Sequence, residues 1–213
     1  LFNKENNCQN YLKAIIDTMQ AKNIIIKKED KIKNGFILSN HRSWMDFIID
    51  NYLADSTACG RYIAFIAVFF GSALFYLDNR MIPFNRGKIN RKKIYDLCKQ
   101  KLITDNYYNQ RVLIYPEGTR MNYETLNSKD DIKSKFKVGL LKEIYERNEY
   151  PVQIQITSNK DEVIREKEFY IKKGVILKTA YSKGIHPKDY NSFEEFLDKI
   201  SEEWFELWKL THL

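Results

Sequence analysis

The chain has 213 residues, of which 44% are hydrophobic and 14% aromatic, and this composition excludes a disordered protein. It is long enough for one domain with a sizeable core. Its net charge of +7 is concentrated in residues 80–101, which contain eight basic residues and one acidic residue. Such a cluster suits anionic lipid or phosphate groups, and nucleic acid is the competing partner.

Cysteine and histidine are scarce, and their positions are Cys8, Cys59, Cys98, His41, His186 and His212. Neither residue type shows the paired spacing of a metal site or of a disulfide framework. We therefore expect reduced structural thiols and neither a metal nor a redox cofactor. The sequence begins with Leu1, so we also expect that an N-terminal piece is missing, which could carry a targeting or membrane segment.

The first third of the chain predicts a helix and then short strands. Apolar residues recur at helical spacing over residues 9–20, with the apolar stripe facing either the core or a membrane. Residues 23–26 and 35–38 are β-type runs, and the charged segment between them predicts a hairpin-like start. Residues 62–77 carry no charge but are fewer than the roughly 20 that cross a bilayer as a helix. We expect a buried strand and a short apolar helix there, with shallow membrane insertion as the alternative.

Helical and β-type patterns alternate along the rest of the chain. Helices are predicted over residues 91–103, 134–147 and about 193–210, and strands over 111–115, 150–157 and 175–178. Strands that alternate with helices predict an α/β fold, with a single domain over residues 1–213 and a mixed, largely parallel sheet flanked by helices. The C-terminal helix carries tryptophans and is, with residues 9–20 and 62–77, a candidate for membrane contact.

A histidine and an aspartate stand five residues apart just after the β-type run 35–38. On one continuous helix, His41 and Asp46 would point about 140° apart and could not meet. If His41 lies in the turn that leaves the strand and Asp46 on the following helix, the carboxylate can reach the imidazole. Such a pair makes the other ring nitrogen a general base. The alternative is a capping histidine beside a surface aspartate.

A second polar segment, residues 115–120, follows the strand predicted over 111–115. Gly118 permits a tight turn beside a ligand, Thr119 offers a hydroxyl group, and Arg120 offers a planar fork for phosphate. The alternative is an ordinary turn with a surface pair between Glu117 and Arg120.

In this order along the chain, these segments resemble the 1-acylglycerol-3-phosphate acyltransferase family, also called lysophosphatidic acid acyltransferases. The family pattern Asn-His-x-x-x-x-Asp matches Asn40, His41 and Asp46, and the pattern Pro-Glu-Gly-Thr-Arg matches residues 116–120. Residues 136–139 are similar to the Phe-Lys-x-Gly that tends to follow. The resemblance covers about residues 24–152.

Two patterns depart from the family. The second usually reads Phe-Ile-Asp-Arg, whereas residues 82–86 keep the aromatic residue and Arg86 but lack the acid. Arg91 is therefore the alternative to Arg86 as the arginine of this pattern. The fourth is represented only by residues 150–152.

The resemblance implies a glycerol-3-phosphate acyltransferase-like fold and acyl transfer from acyl-CoA, or an acyl carrier protein in some members, to the free hydroxyl of a lysophospholipid. His41 and Asp46 would be catalytic, without an acyl-enzyme. Substrate contacts would come from Asn40, Arg86, Glu117, Gly118, Thr119 and Arg120. No cofactor is implied beyond the co-substrate acyl-CoA.

The resemblance also implies membrane association through the lipid substrates, and the reduced thiols suggest exposure to the cytosol. An anionic membrane surface is the expected partner, and no nucleic acid is expected. Two alternatives stand beside the enzyme: a catalytically silent lipid-binding protein on the same fold, and a nucleic-acid binder built on residues 80–101.

Overall fold

The structure is a computed structural model and describes residues 7–43, 46–62, 80–85, 90–103, 110–121, 126–165, 168 and 170–212. The helices in these residues are α1 (Asn7–Thr18), α2 (Asp46–Ala54), α3 (Arg91–Ile103), α4 (Lys129–Lys135), α5 (Val138–Arg147), α6 (Lys160–Val163) and α7 (Phe193–His212). The strands are β1 (Lys22–Lys27), β2 (Asn34–Ser39), β3 (Thr57–Arg61), β4 (Met81–Phe84), β5 (Gln110–Ile114), β6 (Val152–Thr157), β7 (Ile164–Arg165), β8 (Tyr170–Ile171) and β9 (Ile176–Tyr181).

Seven of these strands form one mixed sheet in the order β1-β9-β6-β2-β5-β3-β4. The neighbours from β6 to β4 all pair in parallel, while β9 runs antiparallel to β6 and pairs in parallel with β1. Strands β7 and β8 form a separate two-stranded hairpin. The predicted fold class, a single α/β domain with a mixed, largely parallel sheet, is confirmed.

Helices cover both faces of the sheet, so its central strands are buried on both sides. Phe36 and Leu38 of β2 belong to the core under α3, α5 and α7, whereas Ile37 packs on the other face with Ala54 at the end of α2. Burial on two faces explains why β2 is a nearly continuous apolar run.

The apolar stripes of the first and last helices face the interior. In α1, Leu12 and Ile16 are buried in a cluster with Ile49 of α2, and in α7, Trp204 and Leu207 are fully buried. The core therefore accounts for both stripes. The apolar segment predicted over residues 62–77 lies outside the described residues from residue 63 onward. None of the described helices combines the length and the apolar composition that crossing a bilayer requires.

Two local predictions were wrong. The hairpin-like start does not form, because β1 pairs in parallel with β9 and is separated from β2 by β9 and β6. The helix predicted over residues 134–147 is two helices, α4 and α5, divided at Phe136, whose backbone is extended (ψ 135°). The Phe136 ring packs edge-on against Trp204 of α7, with 5.1 Å between ring centroids.

The alternating pattern over residues 150–157 predicted a strand, and β6 is one, but every residue in it is buried. The polar residues of the alternation therefore lie on a face of the sheet that is also buried, opposite the face that carries Val152, Ile154 and Ile156. The Gln153 amide donates to the carbonyl oxygens of Asp30 and Ser182, at 2.9 and 2.8 Å, and the Gln155 amide donates to Asp50 Oδ1 at 3.1 Å. These hydrogen bonds offset part of the cost of burying two amides, while Gln155 Oε1 has no partner among the described residues.

Candidate active site

Three parallel strands end at one edge of the sheet, and the polar segments of the sequence follow them. His41 lies two residues after β2, Glu117 three residues after β5, and Lys160 three residues after β6. Since β2 pairs in parallel with both β5 and β6, these segments meet above their carboxyl ends. That edge is where open α/β sheets bind ligands.

His41 and Asp46 are in contact. His41 lies in the turn after β2, Asp46 is the first residue of α2, and 2.9 Å separate His41 Nδ1 from Asp46 Oδ2. The Asp46 side chain is fully buried, whereas the His41 side chain is 25% exposed. Burial raises the pKa of Asp46, but the charge of Lys160 and the His41 hydrogen bond outweigh it and leave that pKa below its ordinary value.

The backbone of the same loop folds around the Asp46 carboxylate. Asp46 Oδ2 also accepts hydrogen bonds from the backbone N–H groups of Arg42 and Ser43, the latter at 2.9 Å. Because an ionised carboxylate only accepts hydrogen bonds, His41 Nδ1 carries the hydrogen and donates it. Nε2 is then the nitrogen that can take a proton, so the pair has the arrangement of an oriented general base.

The segment after β5 holds the backbone of His41 from both sides. Glu117 Oε1 accepts from the His41 backbone N–H at 3.0 Å, and the Met121 backbone N–H donates to the His41 carbonyl oxygen at 2.8 Å. Gly118 permits the tight turn that this requires. Its backbone N–H donates to the Tyr115 carbonyl oxygen at 3.0 Å, and its φ of 67° favours glycine. The two sequence motifs are thus parts of one hydrogen-bonded structure.

Tyr115 connects His41 to a second carboxylate. Its ring stacks on the imidazole, with centroids 4.6 Å apart and planes 22° apart, and its hydroxyl donates to Asp50 Oδ2 at 3.0 Å. Burial raises the pKa of Tyr115 well above its usual range, so this hydroxyl stays protonated and serves as a donor.

A fully buried lysine lies behind the pair. Lys160 Nζ donates to Asp50 Oδ2 at 2.6 Å and to the Asn40 carbonyl oxygen, and it lies 3.9 Å from Asp46 Oδ1. Burial raises the pKa of Asp50 to about 6, with the charge of Lys160 acting in the opposite direction. At neutral pH the cluster therefore holds two carboxylates, Asp46 and Asp50, around one ammonium group.

The residues predicted to contact substrate fall into three groups. Asn40 is fully buried, and its side chain exchanges two hydrogen bonds with the backbone of Thr157, at 2.9 and 3.0 Å. Asn40 thus joins the ends of β2 and β6, and its predicted substrate contact stays a prediction. Gly118, Thr119 and Arg120 are exposed on the turn beside His41, whereas Glu117 is buried beneath it. Arg86 lies outside the described residues.

Several cations of the basic segment 80–101 are paired with acids from other parts of the chain. Arg91, the rival of Arg86, lies 3.2 Å from Glu143 on α5. Arg80 pairs with Asp55 at 2.8 Å, and Lys99 pairs with Glu149 at 2.7 Å. Part of the positive charge that suggested an anionic partner is thus used within the fold.

The three cysteines are free thiols and all are buried. Among the described residues, no three His, Cys, Asp or Glu side chains are grouped in a way that could hold a metal ion.

Sequence reasoning missed three parts of this site. Asp50 had one signal: it lies one helical turn after Asp46, on the same side of an otherwise apolar helix. Lys160 and Asp161 had none, because a lysine and an aspartate after a strand are ordinary surface residues in most sequences. Here Asp161 binds the Arg42 guanidinium through both oxygens, at 2.9 and 2.6 Å.

Comparison with known proteins agrees with the motifs. The structure of this chain is similar to the crystal structure of PlsC from Thermotoga maritima, described as a 1-acyl-sn-glycerophosphate (LPA) acyltransferase. The TM-score is 0.65 at 15% sequence identity, over 97% of this chain and 78% of that one. No curated protein sequence matches the chain. The family model described as Acyltransferase matches residues 22–154, which is more than half of the chain and includes both motifs. The chain therefore belongs to the acyltransferase family, as its motifs predicted.

Proposed function

We propose that this protein transfers a fatty acyl group from acyl-CoA to the free hydroxyl of a lysophospholipid of the lysophosphatidic acid type. The observation that carries the proposal is the His41–Asp46 hydrogen bond, in which a buried, ionised carboxylate orients a partly exposed imidazole. The acyltransferase family supports the reaction class. The similar Thermotoga maritima protein is described as an LPA acyltransferase, which supports the choice of acceptor.

In the proposed reaction, His41 Nε2 removes the proton of the acceptor hydroxyl as its oxygen attacks the thioester carbonyl. Asp46 stabilises the imidazolium that forms. The new C–O bond is the ester, the C–S bond breaks, and the departing thiolate of coenzyme A recovers a proton from His41. Acyl-CoA and acceptor must be bound together, because no acyl-enzyme forms.

The acceptor phosphate is assigned to Arg120 and Arg86. Arg120 is exposed on the turn whose next residue, Met121, donates to the His41 carbonyl oxygen, so it lies within a few residues of the base. A guanidinium can bind phosphate through two parallel hydrogen bonds. Arg120→Ala should therefore raise the KM for the acceptor while leaving the KM for acyl-CoA unchanged, and an unchanged acceptor KM would remove Arg120 from the phosphate site.

Because the acceptor is a lipid, we place the protein at an anionic membrane surface that faces the cytosol. Flotation of the purified chain with anionic and with neutral vesicles tests this placement. Vesicle binding that does not depend on anionic lipid would contradict the electrostatic part of it.

The test of the reaction is thiol release from oleoyl-CoA by wild type and His41→Ala, with lysophosphatidic acid, another lysophospholipid or no acceptor. The matched control is His186→Ala. His186 follows Ile185, which pairs with Val152 at the end of β6 away from the site. We expect acceptor-dependent release that His186→Ala retains and that His41→Ala lowers by at least about 100-fold.

Three results would contradict parts of this proposal. Near-normal turnover by folded His41→Ala would refute the base mechanism. A burst of thiol from acyl-CoA alone would indicate an acyl-enzyme. Binding of lysophospholipid without release in any mixture would favour the catalytically silent lipid-binding protein.

A further inference from the structure

We propose that Lys160 is a positioning residue for the His41–Asp46 pair: its buried ammonium group fixes the backbone next to His41 and balances the charge of two carboxylates behind it. This inference rests on the proposed function, since it concerns how the base is held. Lys160 lies outside the motifs and outside residues 22–154, which the family model matches.

The contacts of Lys160 place its ammonium group directly behind the His41–Asp46 pair. Lys160 is fully buried, and its ammonium group donates to the carbonyl oxygen of Asn40, the residue before His41. A second donation goes to Asp50 Oδ2 at 2.6 Å, and Asp46 Oδ1 lies 3.9 Å away. A lysine is almost never fully buried unless it is paired, so this position is defined by its partners.

Lys160 also belongs to a segment, residues 157–161, that contacts the loop of His41 repeatedly. The Thr157 backbone is hydrogen-bonded to the Asn40 side chain, and Asp161 binds Arg42. The loop is therefore attached to residues 157–161 directly before and directly after His41. Lys160 reaches the loop between these two contacts, from the buried side.

Lys160 also offsets the negative charge of Asp46 and Asp50. Among Lys160 and the two acids it pairs with, Asp46 and Asp50, one negative charge is in excess while His41 is neutral, and the imidazolium formed during proton removal offsets it. Without Lys160, the buried carboxylates Asp46 and Asp50 face each other one helical turn apart. Two such groups compete for a proton, and a protonated Asp46 no longer acts as a full acceptor for His41 Nδ1–H.

The other groups around this cluster do not replace the ammonium group. In the described residues, the charged and titratable neighbours are His41 and Arg42 after β2, Asp46 and Asp50 of α2, Tyr115 and Glu117 after β5, Asp161 of α6, Tyr181 of β9 and His212 of α7. Arg42 is paired with Asp161, and burial lowers the pKa of His212 to about 4, so it is neutral at pH 7. Among the residues that the structure describes, Lys160 is thus the cation that pairs with both Asp46 and Asp50.

The experiment compares Lys160→Met, which keeps an unbranched side chain but lacks the terminal ammonium group, with Lys172→Met as a matched control. Lys172 is on the adjoining hairpin segment, where its side chain is 41% exposed and pairs with Glu162. We expect Lys160→Met to lower kcat by about 10- to 100-fold at pH 7, part of the contribution of a positioned general base, with the KM for acyl-CoA unchanged. Removing a cation makes protonation of the nearby groups more favourable. The acid limb of the pH–rate profile should therefore move to higher pH.

Two further variants separate charge balance from packing. Lys160→Met with Asp50→Asn restores the original charge excess, and we expect it to recover part of the lost kcat. Asp50→Asn alone removes an anion and keeps Lys160, so its acid limb should move to lower pH. This last variant tests the charge argument even if replacements at Lys160 do not fold.

The outcomes separate this inference from the proposed function. If His41→Ala is inactive while Lys160→Met keeps the kcat and pH profile of the wild type, the positioning role is refuted and the reaction stands. A folded double variant no better than Lys160→Met, or an Asp50→Asn profile that does not move to lower pH, also overturns it. If His41→Ala retains activity, the proposed mechanism itself fails.

Discussion

The ion pair between Arg42 and Asp161 gives the sharpest test of how the loop of His41 is held. Asp161 accepts from Arg42 Nε and Nη2, and the Arg42 side chain is only 12% exposed. The Arg42 backbone N–H donates to Asp46 Oδ2, so the anchored residue also supports the carboxylate that orients His41. Replacing Asp161 should therefore affect both stability and catalysis.

The size of the effect follows from the burial of the pair. A hydrogen bond to a charged group contributes about 1.5–3 kcal/mol, and loss of one partner leaves a mostly buried guanidinium unpaired. The Asp161 side chain is 41% exposed, so water screens part of the interaction and we take a value of about 2 kcal/mol. In a chain of this length, that free energy corresponds to a fall in Tm of about 4–8 °C.

The assay is thermal unfolding together with kcat for Asp161→Ala and Asp161→Asn. Glu162→Gln is the matched control, because Glu162 is the next residue on α6 and its pair with Lys172 is exposed on both sides. We expect the control to stay within about 0.5 kcal/mol of wild type. Asp161→Ala should lose the most stability and kcat, and Asp161→Asn less of both. If both Asp161 variants match Glu162→Gln, the reasoning is refuted.

Two further predictions concern α7. Burial lowers the pKa of His212 from 6.5 to about 4, so between these values the unfolded chain binds more protons than the folded one. The associated stability of about 3 kcal/mol is present above pH 6.5 and is lost as the pH falls towards 4. His212→Gln should lose less Tm between pH 7 and 4.5 than wild type, and equal losses would contradict this. Trp204→Ala should cost about 3–5 kcal/mol in denaturant unfolding. Trp204→Phe should cost clearly less, because it keeps a ring against Phe136 and removes a buried N–H that has no partner among the described residues.

The sequence alone was sufficient to predict the helices and strands whose hydrophobic pattern matches the burial of their side chains. The periodicity over residues 91–103 gave the bounds of α3, because one side of that helix faces the core and the other faces solvent. The position of His41 and Asp46 was also predictable. Five residues are incompatible with one helix face but fit a strand, a turn and a helix start, and the structure has that arrangement.

The remainder depends on contacts between residues far apart in the chain, which local patterns do not record. The pairing of β1 with β9 joins segments about 150 residues apart, and nothing in residues 22–27 indicates it. The alternation in β6 indicated a strand but not that its glutamines lie on a face of the sheet that is also buried, where Gln155 binds Asp50. The role proposed for Lys160 follows only from these placements, since its partners belong to segments more than 100 residues earlier.

Two different parts of the chain build the candidate site. The pair itself and the turn that holds His41 follow β2 and β5, within residues 22–154. The contacts that fix Asn40, Arg42 and the carboxylates from behind come from residues 157–161, after that range. Because the ammonium group of Lys160 lies 3.9 Å from Asp46 Oδ1 and residues 157–161 also bind Asn40 and Arg42, we expect changes in this segment to alter both the charge around the His41–Asp46 pair and the position of its loop. The segment after β6 therefore acts on the proposed base from outside the motif that supplies it, through both charge and position.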